Sequence, residues 1–210
     1  MFTAAAEYSS TAGLESHTLN KLPLCLLALV SSLAVATEPH EAVRHAFESV
    51  LAAGGFRGYA QGNVFGPGLP ALSGEVDVVF PDRIHVRTDE LEFIAMPKAA
   101  WINTFGIWTQ TQRSLLPVTA FDMAAMRQAI ASIRDVKLEG TAKTSQCPAH
   151  VYRFRSSGRL PGASSQGDLR AWLCDGSGKP ARLEATDART AERVIMDFDW
   201  SRRPDVRPPE

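Results

Sequence analysis

The hydrophobic positions of the chain recur first with a helical period and then with the period of β-strands. Apolar residues between Thr37 and Gly55 are spaced three and four apart, which is typical of a one-faced helix. These positions are Val43, Ala46, Phe47, Val50 and Leu51. Gly54 and Gly55 follow, and glycine commonly ends a helix. The pattern predicts a helix that opens near Pro39 and buries one face.

From Phe56 onward, short segments with a period of two are separated by breaks rich in Gly, Pro and Asp. The predicted strands lie in residues 56–66, 74–80, 83–88, 91–97, 100–104, 107–111, 135–143, 147–156, 168–175, 181–187 and 192–200. A second helix, predicted over roughly Ala120 to Ile133, separates the sixth and seventh segments. Its apolar stripe consists of Met123, Met126, Ile130 and Ile133.

The order of these elements predicts the fold class. Strands outnumber helices and do not alternate with them, so the sheet should be antiparallel. We therefore expect an α+β fold in which a curved antiparallel sheet forms an unclosed half-barrel and helices cover its concave side. One domain over residues 37–210 accounts for the whole pattern.

The N-terminal segment has the features of a signal peptide. Lys21 precedes 14 uncharged residues, Leu22 to Val35, and Ala34-Val35-Ala36 matches an A-x-A cleavage site. This run is shorter than the roughly 20 residues that span a bilayer. We expect residues 1–36 to be removed and the mature protein to be periplasmic or secreted, without an integral membrane span. The alternative is an uncleaved N-terminal anchor.

Charge and cysteine content narrow the function further. The chain has 22 Lys and Arg against 23 Asp and Glu, without the basic excess of a nucleic-acid-binding surface. Cleavage after Ala36 would remove Cys25 and leave Cys147 and Cys174. Two cysteines in an exported protein predict one disulfide. Folding the chain at the loop Ser156–Gly167 brings these two cysteines opposite each other to within a residue of register.

Sequence motifs of catalysis and metal binding are absent. His40 and His45 are five positions apart, which turns their side chains away from a common helix face. His85 and His150 lie on predicted strands without a set of ligands at metal-binding spacing. The segment "DGSGKP" at residues 175–180 fits a hairpin turn better than a phosphate loop. We predict no enzyme activity, no metal and no cofactor, and the remaining alternative is a hydrolase whose catalytic residues are dispersed along the chain.

Apolar residues that converge on the predicted interior suggest a ligand cavity. A half-barrel closed by helices is a common way to build an apolar pocket, and methionine adapts to flexible chains. The candidate ligand-binding residues are Phe47, Phe80, Ile94, Met96, Trp101, Trp108, Met123, Met126, Ile130 and Ile133. The alternative is that these side chains only fill a packed core.

The segments "GGFRGYAQG", "SGEVDVVFPDRIHV", "LEFIAMPKAAWINTFGIWTQT" and "DGSGKPARLE", with the mid-chain helix and the closing "RPPE", resemble the LolA-like superfamily. That group includes outer-membrane lipoprotein carriers and LppX-like lipid-binding lipoproteins. The resemblance implies an unclosed antiparallel barrel with a helical lid over a cavity for acyl chains. It also implies that Trp101 and Trp108 share a hairpin, with at least one ring on the concave side.

One position departs from the pattern of the carriers. They often have Arg just before the Pro of the turn after the second strand, and here that residue is Phe80. The expected function is therefore an exported protein that binds an apolar small molecule, lipid or acyl chain, with lipoprotein cargo left open. The alternative is a cell-envelope module that binds a protein partner and has a packed interior without ligand.

Overall fold

The computed structural model describes residues 38–64, 71–116, 118–158, 160, 167–187 and 193–210. The predicted signal peptide, residues 1–36, lies outside these ranges. The two α-helices are α1 (Pro39–Ala52) and α2 (Met123–Ala131), and 3-10 turns span Arg113–Leu115 and Val118–Phe121. The strands are β1 (Gly55–Gly62), β2 (Leu72–Val79), β3 (Arg83–Thr88), β4 (Glu92–Ala95), β5 (Ala100–Thr104), β6 (Ile107–Thr111), β7 (Arg134–Lys143), β8 (Pro148–Arg155), β9 (Gly167–Cys174), β10 (Pro180–Asp187) and β11 (Arg193–Asp199).

Within the described ranges the strands form one antiparallel sheet in the order β6-β5-β4-β3-β2-β1-β11-β10-β9-β8-β7. Strands β1 to β6 pair in sequence order, as do strands β7 to β11, so the sheet is two meanders joined through the β1–β11 pair. The two end strands, β6 and β7, do not pair with each other, so the barrel stays open. This architecture confirms the predicted α+β fold with an unclosed half-barrel.

Helix α1 covers one face of the sheet, as its apolar stripe predicts. Val43, Phe47 and Val50 are fully buried, and Ala46 is almost so. The helix contacts β7, β1, β9 and α2. At its N-terminal end, His40 Nε2 lies 3.0 Å from the carbonyl oxygen of Ile133, which links α1 to the segment after α2. We call the helix-covered face of the sheet the inner face.

The second helix is shorter than predicted. It begins at Met123 because the Asp122 side chain accepts a hydrogen bond from the Ala125 amide at 2.7 Å, which is an N-cap. The residues before it form the 3-10 turn Val118–Phe121 instead of a helical turn. The helix ends at Ala131, so Ile133 lies outside it, although its side chain is still buried. Neither α1 nor α2 has the length and hydrophobicity that crossing a membrane requires, among the residues described.

The predicted disulfide joins Cys147 and Cys174, whose Cα atoms are 5.6 Å apart. The expected register is slightly wrong, since Cys174 pairs in the ladder with Ala149. Cys147 lies two residues earlier, in the turn before β8, where its amide donates to the Thr144 hydroxyl at 3.1 Å. The bridge therefore fixes this turn against the end of β9.

Candidate apolar ligand site

The inner face and the helices enclose a continuous apolar cluster. Its centre is Phe56 on β1, whose ring lies 5.2 Å from Phe198, 6.1 Å from Phe121 and 6.2 Å from Phe80, measured between centroids. Several inner-face positions carry small side chains that are nearly inaccessible to solvent. These positions are Ala60, Ala95, Ala100, Ala171 and Ala185. Small residues let the covering layer approach the sheet closely.

Six of the ten predicted ligand-binding residues lie on the helices or pack into this interior. Phe47 is fully buried, and its ring centroid is 6.0 Å from that of Phe154 on β8. Phe80 is half-buried and packs against the cluster. On and after α2, Met126, Ile130 and Ile133 are buried, whereas Met123 is half-exposed to solvent. The predicted stripe of α2 therefore faces inward, apart from its first residue.

Three predicted residues lie on the opposite face. Cross-strand partners share a face of the sheet, and Ile94 pairs with Trp101 on β5 and with His85 on β3. The inner-face pair at this level is Phe93 and Ile102. Trp101 is on the face opposite Ile102 because it is the adjacent residue along β5. Trp108 pairs with Asn103, the residue after Ile102, so it also lies on the outer face, and neither tryptophan ring points to the concave side. The expectation that Ile94, Trp101 and Trp108 face the interior is therefore wrong, because these strands present the alternate set of residues to the inner face.

The phase was ambiguous because β4 and the turn after it are apolar at four successive positions. Phe93, Ile94, Ala95 and Met96 offer an apolar side chain to either face, so alternation alone does not choose. Met96 lies in the turn between β4 and β5, where its amide donates to the Ala99 carbonyl at 2.8 Å. It is half-buried and belongs to no strand.

The outer face beside the tryptophans carries a network of charged and polar groups. Arg57 donates to Asp77 at 3.0 Å, and His85 Nε2 lies 2.9 Å from Glu92 Oε1. Burial raises the pKa of Asp77 despite the neighbouring Arg57. Burial also acts to raise the pKa of Glu92, but its hydrogen bonds with His85, Asn103 and Arg87 outweigh that effect and lower it. Trp101 and Trp108 lie on the same face of the sheet as this network.

A pocket of about 550 Å³ opens between α1 and the end of the inner face formed by β8 and β9. Ala42 and His45 of α1 line one side, and Tyr152 and Leu173 line the strand side. Leu173 belongs to the apolar cluster, and Ala42 and Tyr152 pack against it. The pocket volume falls within the range of about 300 to 1,000 Å³ that is usual for small-molecule sites. It is open to solvent and reaches Leu173 of the apolar cluster beside α1.

The mouth of this pocket is polar. His150 Nδ1 lies 2.6 Å from Asp175 Oδ1, and the His150 and Tyr152 rings are 6.5 Å apart. Burial raises the pKa of the Tyr152 hydroxyl, and the charge of Asp175 adds to this, so the hydroxyl stays protonated at neutral pH. In the part of the chain described, no three His, Cys, Asp or Glu side chains converge as metal ligands would.

Sequence reasoning missed this pocket, although a signal for it was present. The segment "HVYRF" of β8 alternates, which places His150, Tyr152 and Phe154 on one face. Since Phe154 is buried against Phe47, the same face had to carry His150 and Tyr152 under α1. What the sequence did not reveal is how close α1 lies to that end of the sheet.

No family model matches the chain, and no curated protein matches it in sequence. Solved structures do match it. The lipoprotein LppX of Mycobacterium tuberculosis is similar with 13% identity and a TM-score of 0.57, over 80% of this chain and 98% of that chain. LprF of Mycobacterium bovis is similar with 12% identity and a TM-score of 0.56, over 82% of this chain and 97% of that chain. The chain has the LppX-like fold.

The open sheet and its helical cover belong to the LppX-like fold. A LolA superfamily protein of Nitrosomonas europaea also matches, with 8% identity, over 82% of this chain and 96% of that chain. Its TM-score of 0.34 is too low to establish a shared fold by itself. At these sequence identities the comparison shows a shared fold alone. The chemistry of the site is therefore argued from the residues of this chain.

Proposed function

We propose that the protein binds an apolar ligand, such as a lipid or acyl chain, between α1 and the inner face of the sheet. The observation that carries this proposal is the 550 Å³ pocket beside α1, whose inner end is Leu173 of the apolar cluster. An apolar chain entering there would leave water for apolar surface, which is favourable by about 25 cal/mol per Å² buried. The role is binding and transport in the cell envelope, not catalysis.

The arrangement of the pocket suits an amphiphile. Its floor is apolar, while His45, His150 and Asp175 place hydrogen-bonding groups at the mouth. A ligand with an apolar chain and a polar end would satisfy both parts, because each group would meet a matching surface. Of the predicted residues, we retain as ligand-binding those packed in the apolar interior that the pocket adjoins, although they are not part of its lining: Phe47, Phe80, Met126, Ile130 and Ile133.

An extracytoplasmic location is part of the proposal. The disulfide between Cys147 and Cys174 favours an oxidising compartment such as the periplasm, since cytosolic thiols are normally kept reduced. The uncharged segment Leu22–Val35, followed by Ala34-Val35-Ala36, gives independent support from the sequence. A carrier working between membranes needs both properties, a stable fold outside the cytosol and an apolar interior.

Filling the pocket should block binding. Ala42 is half-buried on α1 beside Leu173, so the indole of Ala42→Trp would occupy the space that the ligand needs. We expect the uncharged fluorescent probe N-phenyl-1-naphthylamine to bind the wild type and to bind this variant at least tenfold more weakly, which is about 1.4 kcal/mol. The measurement is a fluorescence titration of each protein at equal concentration.

The matched control is Ala52→Trp, which introduces the same side chain at an exposed position of the same helix. It should leave the affinity for the probe unchanged. Equal affinity of the wild type and Ala42→Trp would show that the probe binds elsewhere, and the proposed site would then be abandoned.

A second candidate function is supported by the hairpin of β5 and β6. Phe105 at its tip is fully exposed and Ile107 is 69% exposed, and β6 is an edge strand of the sheet. Exposed apolar side chains beside an unpaired strand edge suit a protein partner in the envelope. The probe titration separates the two candidates, because a protein-binding module with a packed interior would leave the probe unbound.

A further inference from the structure

A second pocket, of about 620 Å³, lies at the other end of α1, between the residues that follow the helix and the segment after β11. Its walls include Phe56 and Trp200, and its charged residues are Lys179, Asp199, Arg202 and Arg203. We propose that this pocket is a binding site for an oxyanion, such as a phosphate, that carries an apolar group. The site does not depend on the proposed function of the interior.

The aromatic wall is rigidly placed. Trp200 donates from its indole nitrogen to the Pro180 carbonyl at 2.7 Å, and its ring stacks on Phe198 with a centroid distance of 5.9 Å and an interplanar angle of 5°. Lys179 Nζ lies 5.0 Å from the centre of the Trp200 ring, within the range of a cation–π contact. The amine is therefore held at the wall instead of extending freely into solvent.

The segment after β11 brings two arginines to the same pocket. Asp199 Oδ1 accepts hydrogen bonds from the Ser201 amide at 2.9 Å and from its hydroxyl at 2.6 Å, which turns the chain. Pro204 then packs close to Gly55, where an added Cβ would lie 3.1 Å from the proline ring and 2.1 Å from the Val78 carbonyl oxygen. Arg202 and Arg203 are held between these two fixed points.

The charge of the pocket favours an anion. Lys179, Arg202 and Arg203 make no ion pair with any residue in the described ranges, and Asp199 is the single acidic residue of the lining. Hydrogen bonds from Ser201 lower the pKa of Asp199, and Arg202 contributes, so this carboxylate is charged at neutral pH. The C-terminus of α1 adds roughly half a negative charge. Three positive side chains against one carboxylate and the helix end still leave the pocket with a net positive charge.

Chemistry then specifies the ligand class. Two guanidinium groups and an ammonium match the oxygens of a phosphate, sulfate or carboxylate head. Trp200, with Ala53 and Pro204, offers apolar surface to a chain or ring attached to that head. A simple anion would use only the first feature, and a neutral amphiphile only the second. An anionic amphiphile uses both.

Isothermal titration calorimetry with three probes tests this assignment. Octyl phosphate should bind the wild type more tightly than octyl glucoside, which has the same chain and a neutral head. Inorganic phosphate distinguishes the sources of the anion. If it competes with octyl phosphate, a free phosphate is a sufficient ligand, whereas failure to compete at equal concentration assigns the site to amphiphiles. Octyl phosphate and octyl glucoside binding with equal affinity would overturn the proposal.

The decisive variant removes both arginines. Because both guanidinium groups are exposed to solvent, the loss should be moderate: Arg202→Gln with Arg203→Gln is expected to weaken octyl phosphate binding roughly tenfold. The matched control is Arg127→Gln with Arg207→Gln, which removes the same charge outside the pocket and should have little effect. If both double variants lost the same affinity for octyl phosphate, the effect would come from net charge alone, and the proposed site would be wrong. Binding of N-phenyl-1-naphthylamine should be unchanged in both, because the interior site is separate.

Discussion

Met126→Lys is expected to destabilise the folded protein by about 4 kcal/mol or more, because it places an amine at a fully buried position without a partner. Met126 lies on the inward stripe of α2, next to the buried Ala129 and Ile130. An unpaired buried amine is held neutral, so its pKa falls below that of the unfolded chain. The unfolded state then binds more protons, and the variant should regain stability as the pH rises toward about 10.

The control for this variant is Met123→Lys, one turn earlier on the same helix. Met123 is only partly buried, so a lysine there can reach water with its charged end. We expect a loss of less than about 1 kcal/mol by urea denaturation followed by circular dichroism. A lid that swings away from a stable sheet would give a different result. In that case Met126→Lys would keep the wild-type denaturation midpoint and lose only helical signal at α2.

Removal of the disulfide should produce the second-largest loss of stability. The bridge joins residues 27 positions apart, and a loop of this size corresponds to roughly 3 to 4 kcal/mol in the chain-entropy description of the unfolded state. Cys147→Ser with Cys174→Ser should therefore unfold at a lower urea concentration and still fold in water. Most of the apolar cluster does not depend on the bridge, because it lies between α1, α2 and the centre of the sheet.

The reductant supplies an internal control for this prediction. Adding dithiothreitol to the wild type should shift its denaturation midpoint toward that of the double serine variant. The same treatment should leave the double variant unchanged, because it has no bridge to reduce. A wild-type midpoint that does not respond to complete reduction, verified by thiol titration, would contradict the stabilising role assigned to the bridge.

Local patterns were sufficient to predict most of the fold. The i, i+3, i+4 stripe of α1 and the boundaries of β3, β5 and β6 follow directly from apolar spacing and from the breaks at Pro81, Asp89 and Gly106. The disulfide followed from hairpin geometry, with an error of two residues because Cys147 lies in a turn outside the ladder. For the helix and these strands neighbouring residues determine the structure, and for the disulfide the position of a single loop does so.

The candidate site was harder to predict because it depends on which face of each strand is covered. Phe93 and Ile94 are both apolar and adjacent, and the covering layer selects Phe93 for the inner face. The pocket beside Ala42 is formed by α1 and by strands more than 100 residues later in the chain, so no local segment encodes it. The second pocket, proposed to bind an oxyanion, is likewise encoded by no local segment, because it forms where Gly55 lies against Pro204.

Native mass spectrometry tests the central claim, that the interior binds an apolar ligand, most directly. The wild type is incubated with a bacterial total lipid extract, separated from free lipid by gel filtration and measured intact, beside Ala42→Trp treated in the same way. We predict a complex in which the wild type carries one lipid, released by organic extraction and largely missing from the variant. A wild type with only the mass of its polypeptide, or equal lipid on both proteins, would contradict the account.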